Sequence, residues 1–495
     1  MGYTLPGSVG QEGMAQLPSQ IFREYDIRGV VGTDLTEEVA RSIGRGFAAY
    51  LRQAGAPLRV LVGQDNRMSS PQVAAAVADG LAAGGCDVVD IGTVITPAFY
   101  YARVHLGIDG GVMVTASHNP PEYNGMKLAF GHATLYGEEI QQVRRLAEEG
   151  QAAEEESAAA GGLAQGRVGA EAVAGGRRGR VEAREVLSAY RRMLSEKIVL
   201  GPRRLRVAVD CGNGTASLVA PDVIEAWGCQ VLRQHCDSDP TYPHHLPNPV
   251  APENVRDLID LVRRERCDLG IGFDGDGDRI GVIDDRGEIV WGDMLMALFW
   301  REILPRYPGA PVIVEVKCSQ ALVEEVTRLG GRPFFYRTGH SLIKAKMKEL
   351  GAVFTGEMSG HMFFADEYYG YDDAVYAAGR LLRLLSHTTE PLSALLATIP
   401  HYPVTPEVYV DAPDEVKFEV VRQVAEEFKA RGYPVVDVDG ARVIFPDGWG
   451  LVRASNTQPA LVVRAEGGSE EGLRRIKRAV EEVLARYSHV GPLDW

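Results

Sequence analysis

One local pattern occurs three times along the chain and constrains its fold more than any other feature. In each of residues 58–92, 205–235 and 310–340, an apolar, β-branched strand is followed by a polar loop, a helix, a glycine and a second apolar strand. Continuously apolar strands are typical of a sheet that helices cover on both faces, and a glycine after a helix supplies a left-handed cap. The pattern therefore predicts three similar mixed α/β domains.

The C-terminal part of the chain follows a different pattern. Helical stretches at 415–432 and 470–487 enclose four short strands in close succession within residues 434–467. This order is typical of an α+β domain with an antiparallel sheet.

A chain of 495 residues exceeds what one hydrophobic core usually supports, so several domains are expected. We predict four domains, at residues 1–180, 181–290, 291–400 and 401–495. Residues of about 150–180 are rich in Ala, Gly and Glu, which predicts a flexible insertion that is partly helical at its start.

Composition and charge limit the class of protein. The formal net charge of -15 argues against nucleic acid or an anionic membrane as a general partner. Residues 1–20 lack the apolar core of a signal peptide, and no window has eighteen consecutive apolar residues, so we expect a cytoplasmic protein. The six cysteines form no CxxC pair, which favours buried free thiols over disulfides or a zinc site.

The stretch GVMVTASHNPPEYNGMK at 111–127 places a serine at the end of an apolar strand. The strand is expected to end at Ala116, and Asn-Pro-Pro then stiffens the loop that carries Ser117. Ligands bind at this edge of open α/β sheets. A structural turn, a hydrolase serine and a phosphate-carrying serine remain open, although the GxSxG elbow is absent and the adjacent Ser117 and His118 side chains rarely face each other.

A second loop, DGDGDR, places Asp274, Asp276 and Asp278 at alternate positions directly after a strand. Glycine allows tight turns, so the three carboxylates can converge on one hard cation such as Mg²⁺, whose free positions phosphate oxygens and water would fill. An EF-hand is excluded because Arg279 stands where that loop needs glycine. An acidic surface turn, and a phosphotransferase with Asp274 as nucleophile, remain alternatives.

Polar residues in TGEMSGHMFF alternate along the chain. Glu357, Ser359 and His361 are two residues apart, so they share one face if the segment is extended. Such a face suits the hydroxyls of a sugar, and an ordinary polar strand face is the alternative.

The segment RASNTQPALVVRAEG combines two guanidinium groups with short polar side chains at a turn. Its polar residues are Arg453, Ser455, Asn456, Thr457 and Arg464. Arginine binds phosphate oxygens in bidentate fashion, which favours a phosphate cradle over a solvated surface hairpin. By contrast, His244 and His245 in DPTYPHHLPNP are interpreted as part of a rigid loop, because successive residues ligate one ion poorly.

Together, TASHNP, DGDGDR, GEMSGH and RASNT, in this order and with FREYDIRG near the start, resemble the α-D-phosphohexomutase family, most of all its bacterial phosphomannomutase/phosphoglucomutase branch. The resemblance covers nearly the whole chain. It implies four domains around a central cleft, the fourth acting as a phosphate-binding lid. It also implies a phosphorylated Ser117 and Mg²⁺ held by Ser117, Asp274, Asp276 and Asp278.

The resemblance implies a mechanism in which phosphoserine donates to a hexose phosphate. The resulting hexose 1,6-bisphosphate turns around and returns its other phosphate to the serine. Implied catalytic residues are Ser117, Lys127, His118, Arg28, Arg279 and His361, with the general acid and base left open among them. Implied substrate contacts are Tyr25, Lys317, His340, Glu357, Ser359, His361, Arg453, Ser455, Asn456, Thr457 and Arg464, with Tyr25 expected to pack against its loop and His340 to begin a helix.

The sugar and the reaction retain alternatives. Met358 in GEMSGH resembles the manno/gluco branch, whereas glutamine there would suggest glucosamine phosphate. Outside the mutases, a metal-dependent sugar phosphatase and a non-catalytic sugar-phosphate sensor remain. Small-molecule hexose phosphates are the expected partners, and a monomer or a dimer is equally compatible with the sequence.

Overall fold

The computed structural model describes residues 17–131, 133–161, 177–455 and 458–495, and for 154–161 the backbone alone. Of the predicted site residues, Asn456 and Thr457 lie outside the described residues, as does the 162–176 part of the predicted insertion. The described chain consists of three domains with mixed α/β structure and a fourth with an antiparallel sheet, which confirms the predicted fold class.

The first domain is built on a seven-stranded sheet in the order β1-β5-β4-β2-β3-β7, with β6 paired to β5. Its strands are β1 Ile27–Val30, β2 Arg59–Gln64, β3 Asp87–Thr93, β4 Gly110–Val114, β5 Tyr123–Phe130, β6 Ala133–Thr134 and β7 Val181–Ala183. Its helices are α1 Glu37–Gln53, α2 Ser70–Ala83, α3 Thr96–Leu106 and α4 Glu138–Gly161, followed by α5 Leu187–Lys197. Because β7 pairs with β3, the first sheet extends past residue 180.

The second domain has a five-stranded sheet in the order β12-β11-β10-β8-β9. The strands are β8 Arg206–Asp210, β9 Gln230–Gln234, β10 Leu269–Phe273, β11 Ile280–Ile283 and β12 Ile289–Val290, with helices α6 Ala220–Ala226 and α7 Arg256–Glu265. Strand β8 runs parallel to both β9 and β10, so the loops that follow these three strands lie at one edge of the sheet.

The third domain has two two-stranded sheets, β13-β14 and β15-β16. Its elements are α8 Gly292–Ile303, β13 Pro311–Glu315, α9 Gln320–Arg328, β14 Arg332–Tyr336, α10 His340–Leu350, β15 Phe354–Gly356, β16 Met362–Phe364, α11 Ala374–Ser386 and α12 Leu392–Leu396. Helix α10 begins at His340, as expected.

The fourth domain has the sheet β17-β21-β20-β19-β18, whose neighbouring strands are all antiparallel. Its elements are β17 Val408–Asp411, α13 Asp414–Ala430, β18 Val435–Val436, β19 Ala441–Phe445, β20 Gly448–Ala454, β21 Ala460–Gly467 and α14 Glu470–Leu484. Strand β17 was not predicted, because four residues before a helix carry too short a pattern to recognise.

One hydrophobic core crosses the first three domains, and the fourth has a core of its own. The contact between the third and fourth domains is partly polar. Arg442 is fully buried there, 3.7 Å from the Trp449 ring, and its Nη1 donates to the carbonyl oxygens of Val316 (2.6 Å) and Cys318 (2.9 Å). Buried donors need such partners, so these bonds help fix the orientation of the two domains.

Candidate active site

The loop that carries Ser117 is tightly fixed and nearly closed to solvent. Strand β4 ends at Val114, two residues before the predicted end, and the backbone enters the left-handed region at Ser117, where φ is +50°. The Ser117 amide donates to Thr115 Oγ1 (2.9 Å). A non-glycine residue in this conformation needs support from its surroundings, and such residues cluster at functional sites.

Arg67 provides much of that support, and the sequence analysis missed it. This side chain is 1% exposed, and its Nη2 donates to the carbonyl oxygens of Ser117 (2.8 Å) and Asn119 (2.7 Å). Its Nη1 donates to the Pro120 carbonyl (2.7 Å). Arg67 lies in the loop between β2 and α2, and nothing in its sequence context distinguishes it from a surface arginine.

The DGDGDR loop follows β10 and faces the serine. Asp274, Asp276 and Asp278 are all fully buried, and one carboxylate oxygen from each lies within 4.8 Å of the others. Ser117 Oγ donates to Asp274 Oδ2 at 2.6 Å. The two motifs, 157 positions apart in the chain, therefore form one site.

Gly275 permits this approach. A Cβ atom at Gly275 would lie 2.3 Å from the carbonyl oxygen of Ser117, closer than any real contact. Two backbone segments meet here, and neither can move aside as a flexible side chain could. Glycine at this position is therefore required by the distance between the two loops.

We expect Gly275→Ala to lower kcat by about 100-fold, because displacing reacting groups by roughly 1 Å can have an effect of that size. Steady-state kinetics with thermal unfolding will measure it. Gly150→Ala is the matched control, since a Cβ there meets nothing within 4 Å in helix α4. Equal kcat values for the two variants would show that the loops tolerate separation.

Lys127, which the resemblance implied as a catalytic residue, lies among the aspartates. It reaches them from β5, with Nζ 2.8 Å from Asp276 Oδ2 and in contact with Asp278. Burial alone would lower the pKa of Lys127, but these two carboxylates hold it well above its ordinary value. The lysine is therefore protonated in this arrangement.

The aspartate cluster retains the capacity to bind a cation. Asp276 Oδ1 and Asp278 Oδ1 are buried and accept no hydrogen bond. Orphaned acceptors of this kind are costly unless something binds them. Three carboxylates beside a serine hydroxyl form an all-oxygen donor set that fits a hard divalent cation.

The side chains of Ser117 and His118 contact each other. The expectation that the side chains of these adjacent residues would not face each other was therefore wrong. His118 Nδ1 lies 3.1 Å from Ser117 Oγ. The left-handed backbone at Ser117 turns the two side chains to the same side. Burial, together with the charges of Arg279 and Arg28, holds the pKa of His118 well below its ordinary value.

Arg279 links the second domain to the third. Its Nε donates to His361 Nε2 (2.9 Å), and His361 Nδ1 lies 2.9 Å from Asp372 Oδ2. Asp372 is fully buried and also contacts Lys344 Nζ at 3.1 Å. The sequence analysis did not predict Asp372, because a pair of aspartates before a helix is typical of an N-terminal cap. Its neighbour Asp373 does act as such a cap, since it accepts a hydrogen bond from the Tyr376 amide.

The expectation that Glu357, Ser359 and His361 share one face of an extended strand is wrong. They lie in the turn between β15 and β16, where Gly360 has a φ of +91° and the Gly360 amide donates to the Glu357 carbonyl (3.0 Å). The glycines of GEMSGH favour a tight hairpin over a continuous strand. Glu357 accepts from the Gly339 amide (2.7 Å), and burial raises its pKa.

The predicted contacts of the first and third domains lie around this hairpin. The Tyr25 and His340 rings pack edge to face with centroids 5.7 Å apart, as expected of a packing role for Tyr25. The His340 ring stacks on His361 at 5.3 Å, and burial holds the pKa of His340 well below its ordinary value.

Arg28 donates from Nη1 to Asn119 Oδ1 (2.7 Å), beside the Ser117 loop.

The fourth domain contributes Arg453 and Arg464, both 5% exposed. Arg453 Nη2 lies 3.1 Å from Asp439 Oδ2, and Arg464 Nη1 donates to the Lys317 carbonyl (2.9 Å). Both arginines keep a buried Nε that makes no hydrogen bond. Such unsatisfied donors suit an anionic ligand.

Lys317 faces the same region, with its Nζ 3.2 Å from Glu315 and 3.0 Å from Glu407. Burial alone would lower the pKa of Lys317, but the two glutamates raise it. Ser455 Oγ accepts from the Gln458 amide (3.1 Å) at the turn between β20 and β21.

Among the residues that the structure describes, every helix is too short or too polar to span a membrane.

Sequence models of one enzyme family match the chain four times in succession. They are phosphoglucomutase/phosphomannomutase α/β/α domain I at residues 19–154, domain II at 188–287, domain III at 291–402 and the C-terminal domain at 407–483. These ranges contain, in order, Ser117, the three aspartates, Glu357 and Arg453.

Individual relatives agree with the family models. The chain is 42% identical over 468 residues to a phosphomannomutase/phosphoglucomutase of Pseudomonas aeruginosa, covering 94% of this chain and 96% of the relative. It is 37% identical over 479 residues to a phosphoglucomutase of Neisseria gonorrhoeae, with 96% and 99% covered. The crystal structure of a phosphoglucomutase/phosphomannomutase family protein from Burkholderia thailandensis superposes with a TM-score of 0.86 at 38% identity, covering 97% of this chain and 100% of that one. The chain therefore belongs to the phosphoglucomutase/phosphomannomutase family, the α-D-phosphohexomutases.

Proposed function

We propose that Ser117 carries the phosphoryl group with which this hexose-phosphate mutase, an enzyme of the isomerase class, interconverts the 1- and 6-phosphates of mannose and glucose. Hexose 1,6-bisphosphate is the intermediate. The observation that carries the proposal is the 2.6 Å bond from Ser117 Oγ to Asp274 within a buried carboxylate cluster that retains two orphaned oxygens.

In the forward step, the bond between phosphorus and Ser117 Oγ breaks while a sugar hydroxyl oxygen bonds to the same phosphorus. The hydroxyl proton passes to a base, an acid protonates the leaving Ser117 Oγ, and the product is the bisphosphate. After the sugar turns around, Ser117 Oγ loses its proton and attacks the other phosphorus. The bond between that phosphorus and its sugar oxygen breaks, and the sugar oxygen takes up a proton. The enzyme is thereby phosphorylated again, and the phosphate has changed position on the sugar.

Positive groups around Ser117 suit the charge of a transferring phosphoryl group. Arg279 follows the aspartates directly, and its half-buried guanidinium donates to His361 of the third domain. Phosphoryl transfer depends mainly on positioning and on such electrostatic stabilisation. Asp274, Asp276, Asp278 and Ser117 would hold Mg²⁺, which when bound would neutralise charge on the phosphoryl oxygens.

Two groups near Ser117 suit the proton transfers. His118 is kept neutral by its surroundings, and its Nδ1, 3.1 Å from Ser117 Oγ, can accept the proton that the attacking serine loses. Asp276 and Asp278 keep Lys127 protonated, so Lys127 can take part in the transfer as a cation and as a proton donor. Arg28 and His361 lie further from Ser117. Arg28 donates to Asn119, and His361 accepts from Arg279.

Glu357 and Ser359, on the hairpin turn, are proposed to bind the sugar hydroxyls in both orientations. The distal phosphate is assigned to Arg453, Ser455, Asn456, Thr457 and Arg464, with Lys317 and His340 on its third-domain side. Arg453 and Arg464 each offer a buried Nε without a bond partner to this anion. Because these groups come from different domains, closure of the fourth domain would exclude water from the transfer.

A phosphatase with Asp274 as nucleophile is the second candidate, and the contacts of Asp274 disfavour it. Its Oδ1 accepts from the amides of Asp278 (3.0 Å) and Arg279 (3.1 Å), and its Oδ2 accepts from Ser117. Both oxygens are thus engaged in fixing the loop. A mere sensor would not require Ser117 beside a cation-binding cluster.

The experiment is ³¹P NMR of the protein with Mg²⁺, a trace of hexose bisphosphate and one sugar 1-phosphate per tube: mannose, glucose or glucosamine. We expect the signal to move to the 6-position, fastest for mannose or glucose, because Met358 offers no side-chain hydrogen bond to an amine. Faster conversion of the glucosamine compound would overturn the sugar assignment. Release of inorganic phosphate, or no change in any tube, would overturn the mutase itself.

A further inference from the structure

A cluster of histidine and aspartate side chains lies in the second domain, outside the site described above. Asp210 is the last residue of β8, His235 directly follows the neighbouring strand β9, and His245 lies in the proline-rich loop beyond. One ligating atom from each of the three lies within 4.8 Å of the others. The parallel pairing of β8 and β9 brings the first two together at one sheet edge.

The hydrogen bonds of His245 require a positive species, either a proton on Nε2 or a metal ion, between it and Asp210. His245 Nδ1 lies 2.8 Å from the Leu246 carbonyl oxygen, which can only accept, so Nδ1 carries a proton. In a neutral ring, Nε2 then presents its lone pair to Asp210 Oδ2, 3.2 Å away and also an acceptor. Two acceptors at this distance repel unless a positive species lies between them.

The same distance suits a metal ion. Two ligand atoms about 2.0–2.2 Å from a tetrahedral Zn²⁺ lie roughly 3.4 Å apart. The Gly212 amide donates to Asp210 Oδ1 (2.8 Å), which leaves Oδ2 directed at His245. Metal ligands usually have outer contacts of this kind. Here the Leu246 carbonyl contacts His245 Nδ1, and the Gly212 amide contacts Asp210 Oδ1.

His235 has different surroundings. Its Nε2 lies 3.0 Å from Asp257 Oδ2, a carboxylate at the start of helix α7, and 2.9 Å from the side-chain nitrogen of Gln234. His235 adopts a left-handed backbone with φ of +45°, which places its ring beside the loop of His245, with ring centroids 5.3 Å apart. The side chains of His235, His245 and Asp210 are 9%, 14% and 4% exposed.

His244 is not part of this set. Its Nδ1 lies 2.8 Å from Asn213 Oδ1, and its ring stacks on His235 at 3.9 Å. The sequence argument weighed against a metal at His244 and His245 as a pair, and of the two only His245 is in this set. The partner of His245 is His235, ten positions earlier in the chain and not recognisable from spacing.

We infer that Asp210, His235 and His245 form a binding site for one divalent cation of the zinc class, with Asp257 as a further carboxylate beside His235. Two imidazoles and one or two carboxylates are a donor set typical of Zn²⁺, unlike the all-oxygen set of the aspartate cluster. This site is independent of the proposed function.

The position suggests a structural role for the ion. Residues 211–214 connect Asp210 to the active site, since a Cβ on Gly214 would lie 2.9 Å from the Gly275 Cα. The Thr215 amide also donates to the Gly275 carbonyl (2.8 Å). An ion that fixes Asp210 and His245 would therefore hold the backbone on which the DGDGDR loop rests.

The test is zinc binding to the full chain in excess Mg²⁺, which keeps the aspartate cluster filled. A chromophoric chelator competes for Zn²⁺ and reports its affinity. We expect one zinc ion per chain for the wild type and for His244→Gln, the matched control. We expect His235→Gln and His245→Gln to weaken binding by at least roughly 100-fold, more than loss of an outer contact usually does.

Equal zinc binding by all four proteins, or no binding by the wild type, would overturn the inference and leave His245 as a protonated partner of Asp210. X-ray absorption of zinc-loaded wild type keeps the test valid if a variant does not fold. It should show two imidazoles and oxygen ligands at about 2.0–2.2 Å. A shell with only oxygen, or with sulfur from the nearby Cys211 and Cys236, would contradict it.

Discussion

Ser117→Ala is expected to lower mutase kcat by at least about 10³-fold, since replacement of a nucleophile in a coupled site has effects of this order or larger. The variant should fold normally, because the hydroxyl is lost while the contacts of Arg67 with the loop carbonyls remain. Substrate affinity should change little, because the proposed sugar and distal phosphate contacts lie in other domains. Initial rates with glucose and mannose 1-phosphates will measure the loss.

Ser195→Ala is the matched control for this change. Ser195 is exposed on helix α5, and its hydroxyl donates to the Arg191 carbonyl (3.0 Å) within that helix. Its variant should turn over at the wild-type rate. Near-normal turnover by the Ser117 variant would instead remove this serine from the reaction and reopen the phosphatase hypothesis.

Asp276→Asn is expected to lower kcat by about 10²–10³-fold and to raise the Mg²⁺ concentration that gives half-maximal rate. Asp276 Oδ2 accepts bonds from Lys127, Thr96 (2.7 Å) and Thr115 (3.2 Å), while Oδ1 is orphaned. An amide keeps the shape, but it reduces the negative charge that both the cation and Lys127 require. Rates across a Mg²⁺ titration separate the two effects.

Asp260→Asn is the comparison variant, because Asp260 is exposed on helix α7 of the same domain. It should match the wild type in both rate and Mg²⁺ dependence. An Asp276 variant with an unchanged Mg²⁺ dependence would show that the cation binds elsewhere, whatever its effect on kcat.

The sequence predicted the fold class well because the strand-loop-helix units repeat and end at recognisable glycines. It also singled out Ser117 and the aspartates, which the structure brings together, since proline and glycine at fixed positions limit what those loops can do. The predicted shared face of Glu357, Ser359 and His361 failed for a local reason: two glycines allowed a hairpin turn that alternation alone does not reveal.

Residues that act through long-range contacts escaped sequence analysis. Arg67 and Asp372 are charged residues in loops, and their burial depends on segments far away in the chain. The partnership of His235 with His245 likewise depends on the pairing of β8 with β9. Charged residues are rarely fully buried unless paired, and the partners become visible only in the folded chain.

The most direct test of the central claim is to load the protein with ³²P from labelled hexose bisphosphate, isolate it and add unlabelled glucose 1-phosphate in a single turnover. Peptide mapping before the addition should place the label on Ser117. After it, the label should leave the protein and appear in hexose bisphosphate. Label on another residue, or its release as inorganic phosphate without transfer to the sugar, would contradict the account.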